Sequence, residues 1–167
     1  MQHNKTSLTA ERARELLRYE PDNPPEIGCF FWRIGPRAGK RSGSVKDRTN
    51  YRRIKIDGRR YREQRLAVLM TTGEWPPGNV DHKNRDRGDN RWSNLRPANN
   101  NENQWNRGAN AGRSLPKGVR KRGNQYGARI GYKGVKYYLS HFLTPESAHA
   151  AYAKAANDLH GEFARAA

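Results

Sequence analysis

The sequence predicts an α+β protein built as two small modules, and three observations lead there. Hydrophobic residues make up 34% of the 167 residues and the mean hydropathy is −1.17, too little apolar material for one large core. Short alternating runs rich in Tyr, Ile and Val, bounded by Asp-Gly and Lys-Gly turns, are interleaved with helical stripes of Leu and Ala. Between the halves, RGANAGRSLP (107–116) combines small residues, glycine and proline with no periodicity, which is linker composition. The expected organisation is a first module over 1–106, with its core at about 76–106, a linker over 107–116, and a second module over 117–167.

The first element expected is a helix from about Ala10 to Tyr19, capped by Thr9, stapled by Leu8 and striped by Ala13, Leu16 and Leu17. The prolines of EPDNPPEIG stop it, and CFFWRI then reads as a short strand. GPRAGKRSGSVKDRTN is a basic, glycine-rich loop. YRRIKIDGRRY is a hairpin pattern around Asp57-Gly58. REQRLAVLMTTG is a helix on Leu66, Ala67, Leu69 and Met70, ending at Gly73. Val80 sits near the end of a short strand. NRWSNL is expected to return as a strand with Trp92 and Leu95 buried, and NNNENQWN to start a helix.

In the second module three strands are expected, Gly118 to Arg122, Tyr126 to Gly131 and Val135 to Phe142. A helix follows, with Thr144 as its cap, Pro145 in its first position and Glu146 near its positive end. Its apolar face is Ala148, Ala151, Tyr152, Ala155, Ala156 and Leu159. Alternation along the strands puts Lys117, Arg120, Arg122, Arg129, Lys136 and Tyr138 on the exposed face. Val119, Ala128, Ile130, Tyr137 and Leu139 then face the helix.

Charge narrows the function. Thirty-three Lys and Arg against sixteen Asp and Glu leave +17, a field that attracts a polyanion. Residues 33–65 carry thirteen basic and three acidic side chains, and 113–142 carry eight basic and none acidic. Residues 143–167 carry two basic and three acidic side chains, so the last helix is expected to face away from the polyanion. No basic amphipathic helix favours a membrane, and nucleic acid is the expected partner. No apolar run reaches membrane-spanning length and no signal peptide is expected, which points to a soluble cytoplasmic protein. Cys29 is the sole cysteine, which excludes an internal disulfide and a Cys-rich zinc site.

One constellation carries chemistry. Asp81 and His82 are adjacent, with Asn94 and Asn103 following in a strand, loop, strand and helix pattern that folds back on itself. A carboxylate and an amide oxygen are hard donors suited to Mg²⁺, which favours Asp81 and Asn103 as metal ligands. His82, with an ordinary imidazole near pH 6.5, can accept a proton from water, while Asn94 holds the loop or the imidazole. Asn90, Asn99, Asn100 and Asn101 read as turn and capping residues.

VDHKNRDRGDNRWSNLRPANNNENQWN resembles the HNH endonuclease motif of phage and intron-associated homing enzymes. That resemblance implies a ββα-metal nuclease fold and hydrolysis of DNA phosphodiester bonds with one divalent metal ion, Mg²⁺ or Mn²⁺. It assigns the catalytic positions to His82 as general base and Asn94 as a structural residue, and the metal to Asp81 and Asn103. The preceding segment resembles the same enzymes, with Gln64 where they usually have His. The second half, from KGVRKRGNQYGARIGY to LHGEFA, resembles an AP2 DNA-binding domain, with Tyr138 and Ser140 where Trp and Gly are usual. It implies that the sheet enters the major groove of double-stranded DNA. Together the resemblances imply a phage-encoded enzyme acting in a bacterial host, or a DNA-binding protein whose nuclease centre has weakened. A basic RNA- or ribosome-associated structural protein is a third reading, which would not need Asp81, His82 and Asn103 at these spacings.

Overall fold

The computed structural model describes residues 8–45, 50–108, 112 and 114–164. Parts of the basic loop (46–49) and of the expected linker (109–111 and 113) lie outside the described residues. The architecture is mixed α and β and divides by packing into two units, Met1–Pro97 and Ala98–Ala167.

The first unit opens on α1, Ala10–Leu16, where the Thr9 side chain accepts from the Arg12 amide at 3.2 Å. The helix ends earlier than its apolar stripe suggests. Leu17–Tyr19 leaves it as a strand, β1, because its backbone pairs antiparallel with β2, Phe30–Trp32. Tertiary pairing here overrides a stretch with adequate helix propensity. The short β3, Ser44–Val45, lies beside β4, Arg52–Ile56, which pairs with β5, Arg59–Arg62. Asp57 and Gly58 both take positive φ (46° and 81°), the turn geometry that matches the twist of a two-residue hairpin. Ile54 and Ile56 point inward from β4, against Leu66, Ala67 and Leu69 of α2, Glu63–Thr72. Gly73 closes that helix at φ 86°.

β6, Asn79–His82, pairs with β7, Leu95–Ala98. The return into β7 departs from expectation. Trp92–Asn94 form a 3₁₀ turn, and Trp92 is 39% exposed where a buried strand residue was expected. Asn94 uses its side chain on residues earlier in the loop, as described below, and the strand begins only after it.

In the second unit α3, Asn100–Trp105, is capped by Asn99 in a reciprocal box with Glu102. This helix packs with the second unit, ahead of the linker expected over 107–116. Trp105 stacks on His160 with ring centres 4.4 Å apart, and the Lys117 ammonium donates to the Trp105 and Arg107 carbonyls at 2.6 and 2.7 Å. β8 (Val119–Arg122), β9 (Gln125–Tyr132) and β10 (Val135–Phe142) form an antiparallel sheet with β9 in the centre. α4, Pro145–His160, covers one face, burying Ala148, Tyr152 and Ala156 against Val119, Ala128 and Ile130. Thr144 caps it, accepting from the Ser147 amide at 3.2 Å. Tyr137 does not join this core: it is 43% exposed, because β10 is an outer strand and its register slips between Tyr138 and Ser140.

Candidate active site

β6 carries Asp81 and His82 into the interior, where they are 8% and 2% exposed. The chain then turns through 83–94, and polar side chains hold that loop. Asn94 accepts from the Asn84 amide through Oδ1 (3.0 Å) and donates through Nδ2 to the Asp89 carbonyl (2.8 Å), tying both ends of the loop together. Asn84 reaches Asp89 Oδ2 at 2.7 Å and receives the Asp86 amide on its own Oδ1 at 2.9 Å. Asp89, wholly buried, takes Arg91 through two parallel bonds of 2.8 and 2.7 Å, and that fork is the first cause holding its carboxyl below the ordinary range. Of the two roles the sequence allowed Asn94, the observed bonds match holding the loop.

The imidazole is held by a residue read from the sequence as part of a turn. His82 Nε2 lies 3.0 Å from Asn90 Oδ1, and Asn90 Nδ2 donates to Glu63 Oε2 at 2.8 Å. Asn90 is 1% exposed and Glu63 2%. Burial lowers the His82 pKa, opposed by the Asn90 bond and by the charges of Asp81, Asp89 and Asp86. Burial likewise pushes the Glu63 carboxyl up to about 7, against the pull of Arg52, Arg41 and the Asn90 bond. Tyr51 stands over the site with its ring 6.0 Å from that of His82, and the guanidiniums of Arg62 and Arg87 lie 4.5 and 4.8 Å from the Tyr51 ring. Both cations stack on the Tyr51 ring.

Asp81 has a partner that sequence reasoning missed. Arg96 donates to its Oδ2 through Nε (3.1 Å) and a terminal nitrogen (2.9 Å), forming a buried ion pair between β6 and β7. A strand pair of Val-Asp-His against Leu-Arg-Pro places these side chains on one side. The only available signal was the charge of Arg96 in an apolar strand.

Residues 61–105 match the HNH endonuclease family. No curated protein matches the chain. The HNH match runs from the end of β5 through α3, so it contains Glu63, Gln64, Asp81, His82, Asn90, Asn94, Arg96 and Asn103, and it supports a nuclease acting on DNA. Within the first unit the fold assembles Asp81, His82 and Asn94. Asn103 stands on α3, in the second unit, half-buried, with its backbone amide on the Asn99 carbonyl. Gln64 is 2% exposed and its side-chain oxygen has no hydrogen-bond partner among the described residues.

The HNH endonucleases use a divalent metal. Among the described residues no group of three or more His, Cys, Asp and Glu side chains could hold one. The fit therefore rests on oxygen chemistry, with the Asp81 carboxylate next to His82 in the chain and Arg96 on its Oδ2.

The predicted DNA-facing residues of the second unit divide. Arg120, Arg122, Arg129 and Tyr138 line one groove on the open face of the sheet, joined by Ser140 and His141, which sequence reasoning left out. Lys136 and Lys117 line another groove, beside Tyr132, which Arg129 also borders, and Lys117 is engaged by the Trp105 and Arg107 carbonyls. No helix among the described residues is long and apolar enough to cross a membrane.

Proposed function

We propose that the protein is a divalent-metal-dependent DNA endonuclease of the homing type. Residues 1–106 act as the HNH nuclease module and 117–167 as an AP2 module that binds double-stranded DNA. The observation that carries the reading is the His82 imidazole, fixed by Asn90 beside Asp81 within the segment that matches the HNH family.

Asn90 Oδ1 can only accept, so His82 donates to it from Nε2, and a neutral imidazole then has its lone pair on Nδ1. That nitrogen takes the proton of the attacking water. Asp81, and Asn103 by its spacing in the sequence, supply oxygen ligands for Mg²⁺ or Mn²⁺. When bound, the ion neutralises charge developing on the phosphate and stabilises the leaving 3′ oxygen. Arg62 and Arg87, stacked on Tyr51, hold the DNA backbone. In the second module Arg120, Arg122 and Arg129 face phosphates or guanine edges, with Tyr138 against the groove wall.

A second reading has its own observation. The Arg96 ion pair on Asp81 and the buried Gln64 fit a DNA-binding protein whose nuclease centre has weakened. Supercoiled plasmid incubated with Mg²⁺, Mn²⁺ or EDTA separates the two. Metal-dependent nicking by wild type that is lost in His82→Ala, with DNA binding retained, is the expected result. Binding without nicking under any metal selects the second reading, and equal nicking by both forms places the chemistry elsewhere.

A further inference from the structure

We propose that Glu63 is a positioning residue for His82, acting through the Asn90 carboxamide to keep the imidazole proton on Nε2 and the base on Nδ1. This rests on the reading of His82 as general base. The three side chains form a buried chain, 2%, 1% and 2% exposed, linked at 2.8 and 3.0 Å. A carboxamide has one donating and one accepting end, whereas a carboxylate only accepts. An ionised Glu63 therefore turns the Asn90 NH₂ toward itself and the Asn90 oxygen toward His82, and the imidazole must answer with Nε2–H.

The surroundings suit this orientation while Glu63 is ionised. The second Asn90 Nδ2 hydrogen points to the Gly88 carbonyl at 3.5 Å, and the Tyr19 hydroxyl donates to the Asn90 backbone carbonyl at 2.9 Å. Gly43 backs against the other carboxylate oxygen: its φ is 84° and a Cβ there would collide with Glu63 Oε1. Among the described residues Oε1 has no hydrogen-bond partner, while Oε2 accepts from Asn90.

Protonation would invert the instruction. A neutral Glu63 can donate its hydroxyl to Oδ1 of a flipped Asn90, whose NH₂ then donates to His82 Nε2 and moves the imidazole proton to Nδ1. The groups facing Glu63 are the Arg52 and Arg41 guanidiniums, which favour its ionised form, and the Cys29 thiol, which burial pushes up to about 11 and keeps neutral. Burial outweighs both arginines, and Glu63 titrates near neutrality, so the switch falls at about pH 7.

The test uses full-length protein with ¹⁵N-labelled histidine, whose nitrogen shifts separate the two tautomers from the imidazolium. At pH 8 the wild type should show a slowly exchanging Nε2–H on His82, with loss of that tautomer as pH falls through about 7. Glu63→Gln, which carries no proton equilibrium, should remove the pH step. Glu63→Leu should leave the Nε2 proton in fast exchange and lower kcat about tenfold to a hundredfold at unchanged KM for DNA. Thermal melting of each variant checks that it is folded. An unchanged pH step in Glu63→Gln, or a protected Nε2–H and full kcat in folded Glu63→Leu, would overturn the proposal. If no form cuts DNA while the spectra behave as expected, the general-base reading falls and the hydrogen-bond relay stands.

Discussion

Glu63 shows how one buried carboxyl links stability to pH. Its carboxyl ionises near 4.5 when unfolded and at about 7 when folded, so the native state binds the extra proton between those values. The stability that this proton contributes is complete below about pH 4.5 and is lost as pH rises through 7. Urea midpoints measured from pH 4.5 to 8 should fall for wild type and stay flatter for Glu63→Gln, which becomes the more stable of the two at pH 8. Asn94 offers a second expectation at this scale. Asn94→Ala strands the Asn84 amide and the Asp89 carbonyl, groups now paired at 3.0 and 2.8 Å, and should cost about 2–4 kcal/mol in denaturant unfolding. A loss below about 0.5 kcal/mol would mean that the loop is not held by this residue. From the sequence Asp81, His82 and Asn94 were legible as candidates by residue type and spacing. Asn90 and Glu63 were not, because an asparagine in a polar run and a glutamate opening a helix have commoner uses.

Elements were legible where local chemistry agrees with packing. The Asp-Gly hairpin, the Gly73 helix stop and the Thr144-Pro145 helix start each rest on neighbours in sequence, and each forms. The misread elements are those decided at a distance. Leu17–Tyr19 joins a sheet because Phe30–Trp32 lies beside it, and Trp92–Asn94 curls because Asn94 serves the loop. In the second unit a close approach sets a sharp test. Gly118 has φ 83°, and a Cβ at this position would overlap the Tyr152 ring. Gly118→Ala should destabilise the β8–β9–β10 sheet and α4 by about 1–3 kcal/mol, lowering the melting temperature. Thr144→Ala should cost only about 1 kcal/mol, the loss of one cap. Equal effects from the two would argue against the steric account.

Across the whole molecule, charge dominates. The chain carries +17, and its two basic stretches fall in different halves. Arg120 and Arg122 line the groove on the open sheet face together with Arg129 and Tyr138. If each neutralises one phosphate, replacing both by Ala should reduce the slope of log K against log salt by about 2 and weaken binding similarly across sequences. Fluorescence anisotropy over a salt series measures it, and an unchanged slope would remove this face from the DNA interface. A strong loss confined to one sequence would instead assign the arginines to base edges.

By itself the sequence determined the mixed α and β character, the turns and caps, the excess positive charge and the spacing of Asp81, His82 and Asn94. These follow from composition, periodicity and neighbours along the chain. The tertiary structure decided which groups the buried side chains meet: Arg96 on Asp81, Asn90 on His82, Glu63 behind Asn90, and Trp105 stacked on His160. Those pairings join residues from 8 to 55 positions apart. A buried polar group takes whichever partner the packed elements bring within 3 Å, and periodicity along the chain does not carry that information.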